Sequence, residues 1–287
     1  AVSCVDRRCL VAWGQNVAGP SARTWDMSTG ALGPVARLSP TARVTDASSR
    51  PAIANDGTQY LVVWREAIGR LSGRFVSLDG LPLGPSFDVA AAPSFSDVTV
   101  VWGGGSWAIA APAAYGHPFP IWLQVLDRAG VATAPTWSVG ETMREGVRPG
   151  LAAYDGGFIT AYFPVDAGTD AGEPFLAFRR FGATGPIDPA PVVLDTELGR
   201  SDPVLWLDGE EVQALWTSGP DLEGMRFNVN SYAVVSAPQV VSQVGDCVRR
   251  KDLASVHVED VLLGSAMAAV TSKVGKSILG RSLTGSD

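Results

Sequence analysis

Residues that commonly carry out chemistry are scarce in this sequence, which contains two histidines and three cysteines among 287 residues. No pair of cysteines has the spacing of zinc ligands, and with two histidines any acid–base catalysis would fall to carboxylates. A stretch at 166–173 is rich in carboxylates of the kind that calcium prefers, but it lacks the spacing of a calcium-binding loop. We therefore predict no cofactor and no metal ion.

Charge and long apolar runs are also in short supply. Charged residues make up 18% of the chain, and acidic residues outnumber basic ones, so the formal net charge is −7. Because a phosphate backbone is bound by surfaces rich in Lys and Arg, this balance argues against nucleic acid as a general partner. The apolar stretch 261–270 is interrupted by Gly264 and Ser265 and is too short to span a bilayer, so we predict no transmembrane segment.

Glycine, proline and short apolar blocks are abundant instead, with 32 Gly, 20 Pro and 46% hydrophobic residues. One apolar block returns six times, and its copies end at positions 13, 64, 111, 162, 216 and 270. A period of about 50 residues, made of short strands and glycine-rich turns, is typical of a β-propeller. We predict an all-β fold, a six-bladed β-propeller with four-stranded antiparallel blades.

Each repeat divides into four strands, A to D from the central channel outward. The Asp-Gly pairs at 56–57, 155–156 and 208–209 predict tight A–B turns, because glycine tolerates the positive φ that such turns require. The predicted blades lie within a single domain, 1–287, and cover 1–45, 46–95, 96–145, 146–200, 201–248 and 249–287. The sixth unit contains no D strand, so either that blade has three strands or a further chain or domain completes it. We favour the second explanation.

The cysteines suggest one disulfide. Cys4 and Cys9 flank a predicted hairpin turn, which places the two thiols on adjacent strands within bonding distance. A disulfide there would imply an oxidising compartment, and the alternative is two small buried side chains. Cys247 is left as a free thiol or as half of a bond to another molecule.

The second repeat carries a family resemblance. The segments 51–64 (PAIANDGTQYLVVW) and 73–84 (GRFVSLDGLPLG) resemble the repeat unit of secreted bacterial β-propeller repeat proteins. This resemblance implies a secreted or cell-surface protein on the extracellular or periplasmic side of a bacterium. It implies no particular activity.

Propeller topology directs attention to one rim. The B–C and D–A loops surround one mouth of the channel, and they are longer and more varied than the turns of the opposite rim. One of them is the predicted B–C loop at 217–223. Binding sites commonly lie on such loops. Charged residues precede strand A in successive units and are expected near that mouth: Arg50, Asp97, Arg148, Arg200 and Asp202. Arginine binds anions with paired donors, so these residues are candidate ligand-binding groups. Alternatively, they pair with one another and tie neighbouring blades together.

Aromatic residues fall into two groups. The first group ends strand B at the same repeat position in four units, which favours packing between blades over a sugar-binding platform: Trp13, Trp64, Tyr162 and Trp216. The second group departs from this pattern in the third unit and supplies further candidate ligand-binding residues: Tyr115, His117 and Trp122.

These observations predict a binding or interaction module that recognises a glycan, peptide or protein on the loop-rich rim. One alternative is a carbohydrate-active hydrolase that uses paired carboxylates in the central funnel, although no catalytic residue is identified. Another is a purely structural repeat within a larger surface protein. Fold alone does not decide among them, because propellers host many functions.

Overall fold

The computed structural model describes residues 1–14, 19–39, 50–66, 70–90, 95, 97–113, 119–142, 148–164, 176–195, 203–218 and 221–243. Within these residues the chain forms strands and turns and no helix. Five antiparallel sheets follow one another along the chain, and their strands are hydrogen-bonded in chain order, except that the last strand of the fourth sheet pairs with the third strand of that sheet. This is the A–B–C–D order expected of propeller blades.

Each sheet is one blade, and the strands are numbered in chain order. The first two blades contain β1 (Val2–Val5), β2 (Arg8–Trp13), β3 (Ser21–Asp26) and β4 (Ala36–Arg37), then β5 (Ala52–Asn55), β6 (Gln59–Arg65), β7 (Leu71–Ser77) and β8 (Pro82–Ala90). The third contains β9 (Thr99–Gly103), β10 (Ser106–Pro112), β11 (Phe119–Leu126) and β12 (Trp137–Thr142). The fourth contains β13 (Gly150–Tyr154), β14 (Gly157–Tyr162), β15 (Leu176–Gly182), β16 (Gly185–Pro186) and β17 (Val192–Asp195). The fifth contains β18 (Val204–Asp208), β19 (Glu211–Ser218), β20 (Asp221–Asn228) and β21 (Val234–Gln243).

The local sequence explains why these strands form. Strand β6 carries five consecutive buried residues, because both faces of a central strand are covered by neighbouring blades. The predicted A–B turns use glycine at positive φ, +82° at Gly57 and +60° at Gly209, where a side chain would strain the backbone.

The five inner strands lie side by side in chain order, β1 against β5, β5 against β9, β9 against β13 and β13 against β18. They surround a common axis while the other strands extend outward. This arrangement confirms the all-β propeller fold. The described residues form five blades, and the predicted sixth, 249–287, lies outside them, so the count of six stays a prediction.

The hydrophobic core is divided among the spaces between blades. Four clusters of buried side chains lie between successive blades, one each for the first and second, second and third, third and fourth, and fourth and fifth. Trp64, Tyr162 and Trp216 are at most 2% exposed and belong to these clusters. The prediction that strand-B aromatics pack between blades is therefore confirmed for these three, whereas Trp13 is half-buried.

A repeated hydrogen bond fixes the outer edge of four blades. A long polar side chain on strand C donates to the carbonyl ten residues later, in four matching pairs: Arg23 to Gly33, Arg74 to Gly84, Gln124 to Ala134 and Arg179 to Pro189. Two of the arginines also reach the preceding blade. Arg74 donates to the Leu38 carbonyl at 2.8 Å and Arg179 to the Val139 carbonyl at 2.9 Å, so the same side chain joins two blades.

The predicted disulfide is present. Cys4 and Cys9 are register partners on β1 and β2, and their sulfurs are bonded. Cys247 lies outside the described residues.

Two details differ from the sequence-based interpretation. The segment 217–223 was expected to be a long loop, but β19 continues to Ser218 and β20 begins at Asp221. The fifth blade therefore has a short B–C connection. In the fourth blade the outer edge is divided between β16 and β17, which pair separately with β15.

Candidate functional site

The inner strands enclose a central cavity of about 420 Å³. It is lined by all five described blades, through residues 1–3, 52–55, 99–102, 148–153 and 203–207. Each inner strand is hydrogen-bonded to strand B along one edge only, so its other edge faces the axis. This volume falls within the roughly 300–1,000 Å³ typical of ligand pockets.

Strand register places the predicted charged residues at equivalent points of three blades. In the second, third and fourth blades, the first residue of the inner strand pairs with the next-to-last residue of the apolar block: Ala52 with Val63, Thr99 with Ala110, and Gly150 with Ala161. The charged residue lies two positions before the first residue of each inner strand, and it is Arg50, Asp97 or Arg148. Three consecutive blades therefore present a charged residue at the same end of the cavity, which we call the mouth.

Two of the three charged residues at the mouth are arginines. Arg148 lines the cavity directly. The Ala1 amine lies beside it, and burial, then the positive charge of Arg148, then that of Arg50 lower the amine pKa to about 6. Asp97 adds the opposite charge between the two arginines in blade order. Asp97 and Arg148 also interact with other protein groups. The alternative role of these charged residues, which is to join neighbouring blades, therefore stays open.

Strand register divides the cavity lining into levels. The mouth level contains Ala52, Thr99, Gly150 and Val204 at the start of the inner strands. The far end, which we call the floor, contains Asn55, Trp102, Ala153 and Leu207. The floor therefore combines large side chains with the small Ala153.

Polar side chains in the wall are engaged in joining blades. Asn55 donates through Nδ2 to Ser3 Oγ at 2.8 Å and to the Cys4 carbonyl at 3.1 Å. Thr99 donates through Oγ1 to the Pro149 carbonyl at 2.8 Å. These bonds connect the first blade to the second and the third to the fourth, so they fix the shape of the wall.

The structure brings together some of the predicted site residues. Arg50, Asp97 and Arg148 meet at the mouth as described above. Trp122 lies within β11, half-buried, and packs against the hydrophobic cluster between the second and third blades. Four other candidates lie outside the described residues: Tyr115, His117, Arg200 and Asp202.

Sequence reasoning did not single out two tryptophans that line the cavity. Trp206 lies inside a predicted strand A, and Trp102 directly follows another. Register places Trp102 one level deeper than Trp206, and the Trp102 ring lies against the Trp107 ring with centroids 4.6 Å apart.

Several kinds of group are missing from the described part of the cavity. None of its lining residues there is Asp or Glu. Across the described ranges, no three His, Cys, Asp or Glu side chains lie close enough together to hold a metal ion. Within the same ranges no helix has the length and hydrophobicity needed to cross a membrane.

Comparisons with known proteins identify the fold. No protein-family model matches the sequence, and no curated protein matches it either. Among solved structures, a PL25 ulvan lyase is 12% identical with a TM-score of 0.54, over 85% of this chain and 70% of that one. Hydrazine synthase from Kuenenia stuttgartiensis is 12% identical with a TM-score of 0.50, over 80% and 62%. The Dos1 propeller is 12% identical with a TM-score of 0.47, over 81% and 55%.

At such low identity these likenesses show the fold alone, which is a β-propeller. The resemblance to secreted repeat proteins has no sequence-family match behind it. The class that fold and site define is therefore a β-propeller with a central cavity and an arginine-bearing mouth.

Proposed function

We propose that this propeller is a binding module that recognises a glycan, peptide or protein partner at the mouth of its central cavity. One observation carries the proposal: Arg148 lines the central cavity, and strand register places Arg50 at the same end of it. Arginine supplies paired donors for an anionic group, and a concave site with few polar anchors is what ligand pockets usually offer.

The chemistry of the wall favours binding over hydrolysis. A glycosidase needs two carboxylates about 5–10 Å apart across the scissile bond. The lining described above contains no carboxylate, and Asp97 is the acidic residue that the described mouth supplies. The hydrolase alternative therefore depends on a second carboxylate from the rest of the chain.

The disulfide supports a location outside the cytoplasm. Cys4–Cys9 closes a hairpin of the first blade, and such bonds persist in oxidising compartments. We propose an extracellular or periplasmic protein, in which the mouth is accessible to partners from the environment or the cell surface. A purely structural repeat would leave the mouth without a ligand.

A paired-array experiment tests the proposal. The wild type and the double variant Arg50→Gln/Arg148→Gln are applied to a glycan array and to a peptide array. Arg7→Gln is the matched control, because Arg7 is an exposed arginine in the turn between β1 and β2 at the opposite rim. We expect binding in at least one array that is lost in the double variant and kept in the control. Absence of binding in both arrays, or binding unchanged in a folded double variant, would refute the proposal.

A further inference from the structure

One inner strand contributes more of the cavity lining than the other described inner strands. Six consecutive residues, 148–153, line the cavity along β13, whereas the other inner strands contribute three to five each. Three of the six are short, because Gly150, Ala152 and Ala153 carry no side-chain atom beyond Cβ. The backbone of β13 therefore forms much of its surface in the cavity.

Strand register determines which backbone groups of β13 point toward the axis. In an antiparallel pair, residues that exchange hydrogen bonds with the partner strand alternate with residues whose N–H and C=O point the other way. Tyr154 and Gly157 close the two-residue A–B turn of this blade. Counting back from this pair, Ala152 is bonded to β14, and Leu151 and Ala153 direct their N–H and C=O away from it.

A contact with the preceding blade supports this direction. Pro149 alternates in step with Leu151 and Ala153, and its carbonyl accepts a hydrogen bond from Thr99 Oγ1 of the third blade at 2.8 Å. That carbonyl therefore points away from β14. Within the described ranges no strand pairs with the inner edge of β13. The edge thus presents two residues, Leu151 and Ala153, with a donor and an acceptor each.

These groups restrict the ligands that fit the edge. The two residues are about 6.6 Å apart, at about 3.3 Å per residue of strand. A ligand that displaces water from the edge without replacing its hydrogen bonds leaves buried backbone groups unpaired, which is unfavourable. An extended peptide presents N–H and C=O together at every second residue, and its addition to a free sheet edge is a recurring mode of recognition.

The charge that precedes β13 adds a second requirement. Arg148 lines the cavity and lies three residues before Leu151, about 10 Å along the chain at about 3.3 Å per residue. Its guanidinium can bind a carboxylate with paired donors. A peptide paired with β13 reaches Arg148 where it leaves the cavity, so an Asp or Glu at that point of the peptide completes the match.

We infer that the cavity binds an extended acidic peptide segment of a protein partner, which adds as a strand to the inner edge of β13 and places a carboxylate at Arg148. This inference rests on the proposed function and specifies its ligand. Recognition depends on the backbone of the peptide and on one acidic residue, and the other side chains of the segment contribute less.

The first test varies the ligand and uses the wild-type protein. The probes are Asp-Thr-Ser-Val-Ser-Thr and Thr-Ser-Val-Ser-Thr-Asp, acetylated and amidated so that their ends carry no charge, and binding is measured by isothermal titration calorimetry. We expect at least one of them to bind about fivefold or more tightly than its Asn counterpart, because hydrogen bonds to charged groups are stronger than neutral ones.

Methylation of the peptide amides tests pairing with the strand. The tighter probe is N-methylated at its second and fourth residues or at its third and fifth, so both forms carry the same number of methyl groups. Because only every second residue faces β13, one form should bind about tenfold or more weakly than the unmethylated probe and the other less than about threefold more weakly.

Two protein variants test the same contacts from the other side. Ala153→Pro removes an N–H that faces the axis and is not bonded to β14, so it should weaken peptide binding, whereas the control Ala153→Gly keeps the N–H and should bind as the wild type does. If the proline variant fails to fold, the methylated probes still measure this pairing. Arg148→Gln should remove the difference between the Asp and Asn probes.

The outcomes distinguish this inference from the proposed function. Equal binding of the two methylated forms, or of the Asp and Asn probes, overturns the inference. Binding of a glycan that depends on Arg50 and Arg148, without peptide binding, overturns the inference and leaves the proposed function standing. Binding of neither class overturns both.

Discussion

Replacing Asp188 with Asn should weaken the joint between the fourth and fifth blades. Asp188 is 5% exposed and accepts hydrogen bonds from the Arg180 guanidinium at 2.6 Å and from the Tyr232 hydroxyl at 2.5 Å. Arg180 also donates to the carbonyls of Val229 and Asn230 in the fifth blade, at 3.1 and 2.6 Å. One carboxylate therefore holds the arginine and the tyrosine that connect the two blades.

The expected loss follows from the burial of this pair. Removing one partner of a buried ion pair costs about 3–5 kcal/mol, because the remaining charge has no counter-charge. The Asp188→Asn variant keeps the shape of the side chain and one acceptor oxygen for Tyr232. We therefore expect the lower end, about 3 kcal/mol. At about 2 °C per kcal/mol for a chain of this size, the Tm should fall by about 6 °C.

An exposed ion pair between blades provides the matched control. Asp79 lies 2.5 Å from Arg8 of the first blade, and these side chains are 73% and 52% exposed. Such pairs contribute about 0–1 kcal/mol, so Asp79→Asn should leave the Tm almost unchanged. Thermal and urea unfolding of both variants at neutral pH make the comparison.

The pH dependence checks the same reasoning. Burial favours the neutral acid, but the hydrogen bonds from Arg180 and Tyr232 outweigh it and hold the pKa of Asp188 below its usual value. A lowered folded-state pKa contributes stability that is present above the unfolded value of about 3.9 and is lost as the pH falls below it. The gap between wild type and Asp188→Asn should therefore narrow below about pH 4. Equal effects of Asp188→Asn and Asp79→Asn at neutral pH, or a constant gap in acid, would contradict this account.

Two further predictions concern contacts between blades. A Cβ added at Gly103 would lie 2.2 Å from the Ala153 Cβ in the next blade, so Gly103→Ala should lower the free energy of unfolding. Adding Ala153→Gly to this variant should partly restore it. A double-mutant cycle of urea unfolding measures both effects. Gly182→Ala is the control, since its nearest atom would be 3.8 Å away, and an equal loss there would argue against the close contact. Burial raises the pKa of Tyr60 and Tyr162 to about 12, above the value of about 10 in an unfolded chain. The stability that both tyrosines contribute is present below about pH 10 and is lost as the pH rises through 12. The wild type should therefore lose more stability in alkali than the double variant Tyr60→Phe/Tyr162→Phe, as measured by denaturant titrations. Parallel pH profiles of the two proteins would count against this account.

The sequence predicted the repeating parts of the molecule well. Strand B, the glycine turns and the Cys4–Cys9 hairpin are local features, and each depends on residues that are near one another in the chain. Their recurrence at a nearly constant period was sufficient to indicate propeller blades.

The candidate site was predicted only in part. Arg50, Asp97 and Arg148 were identified because they precede strand A in each repeat, which is a property of the sequence. The cavity-lining residues Trp102 and Trp206 were not, because their depth in the cavity depends on how strands from different blades are aligned. The loop expected at 217–223 was wrong in its length, because β19 and β20 pair as far as Ser218 and Asp221 and the strands take up most of that segment.

The sequence by itself determined the repeat, the order of strands within a blade and the positions of the charged residues that precede strand A. Periodicity, turn residues and alternating burial are short-range properties, so they can be read without knowing the neighbours. Only the tertiary structure decided that the inner strands enclose a cavity, that Arg148 and the two tryptophans Trp102 and Trp206 line it, and that Asp188 joins two blades. These properties arise from residues that are 44 or more positions apart in the chain, and their distances are set by the packing of one blade against the next.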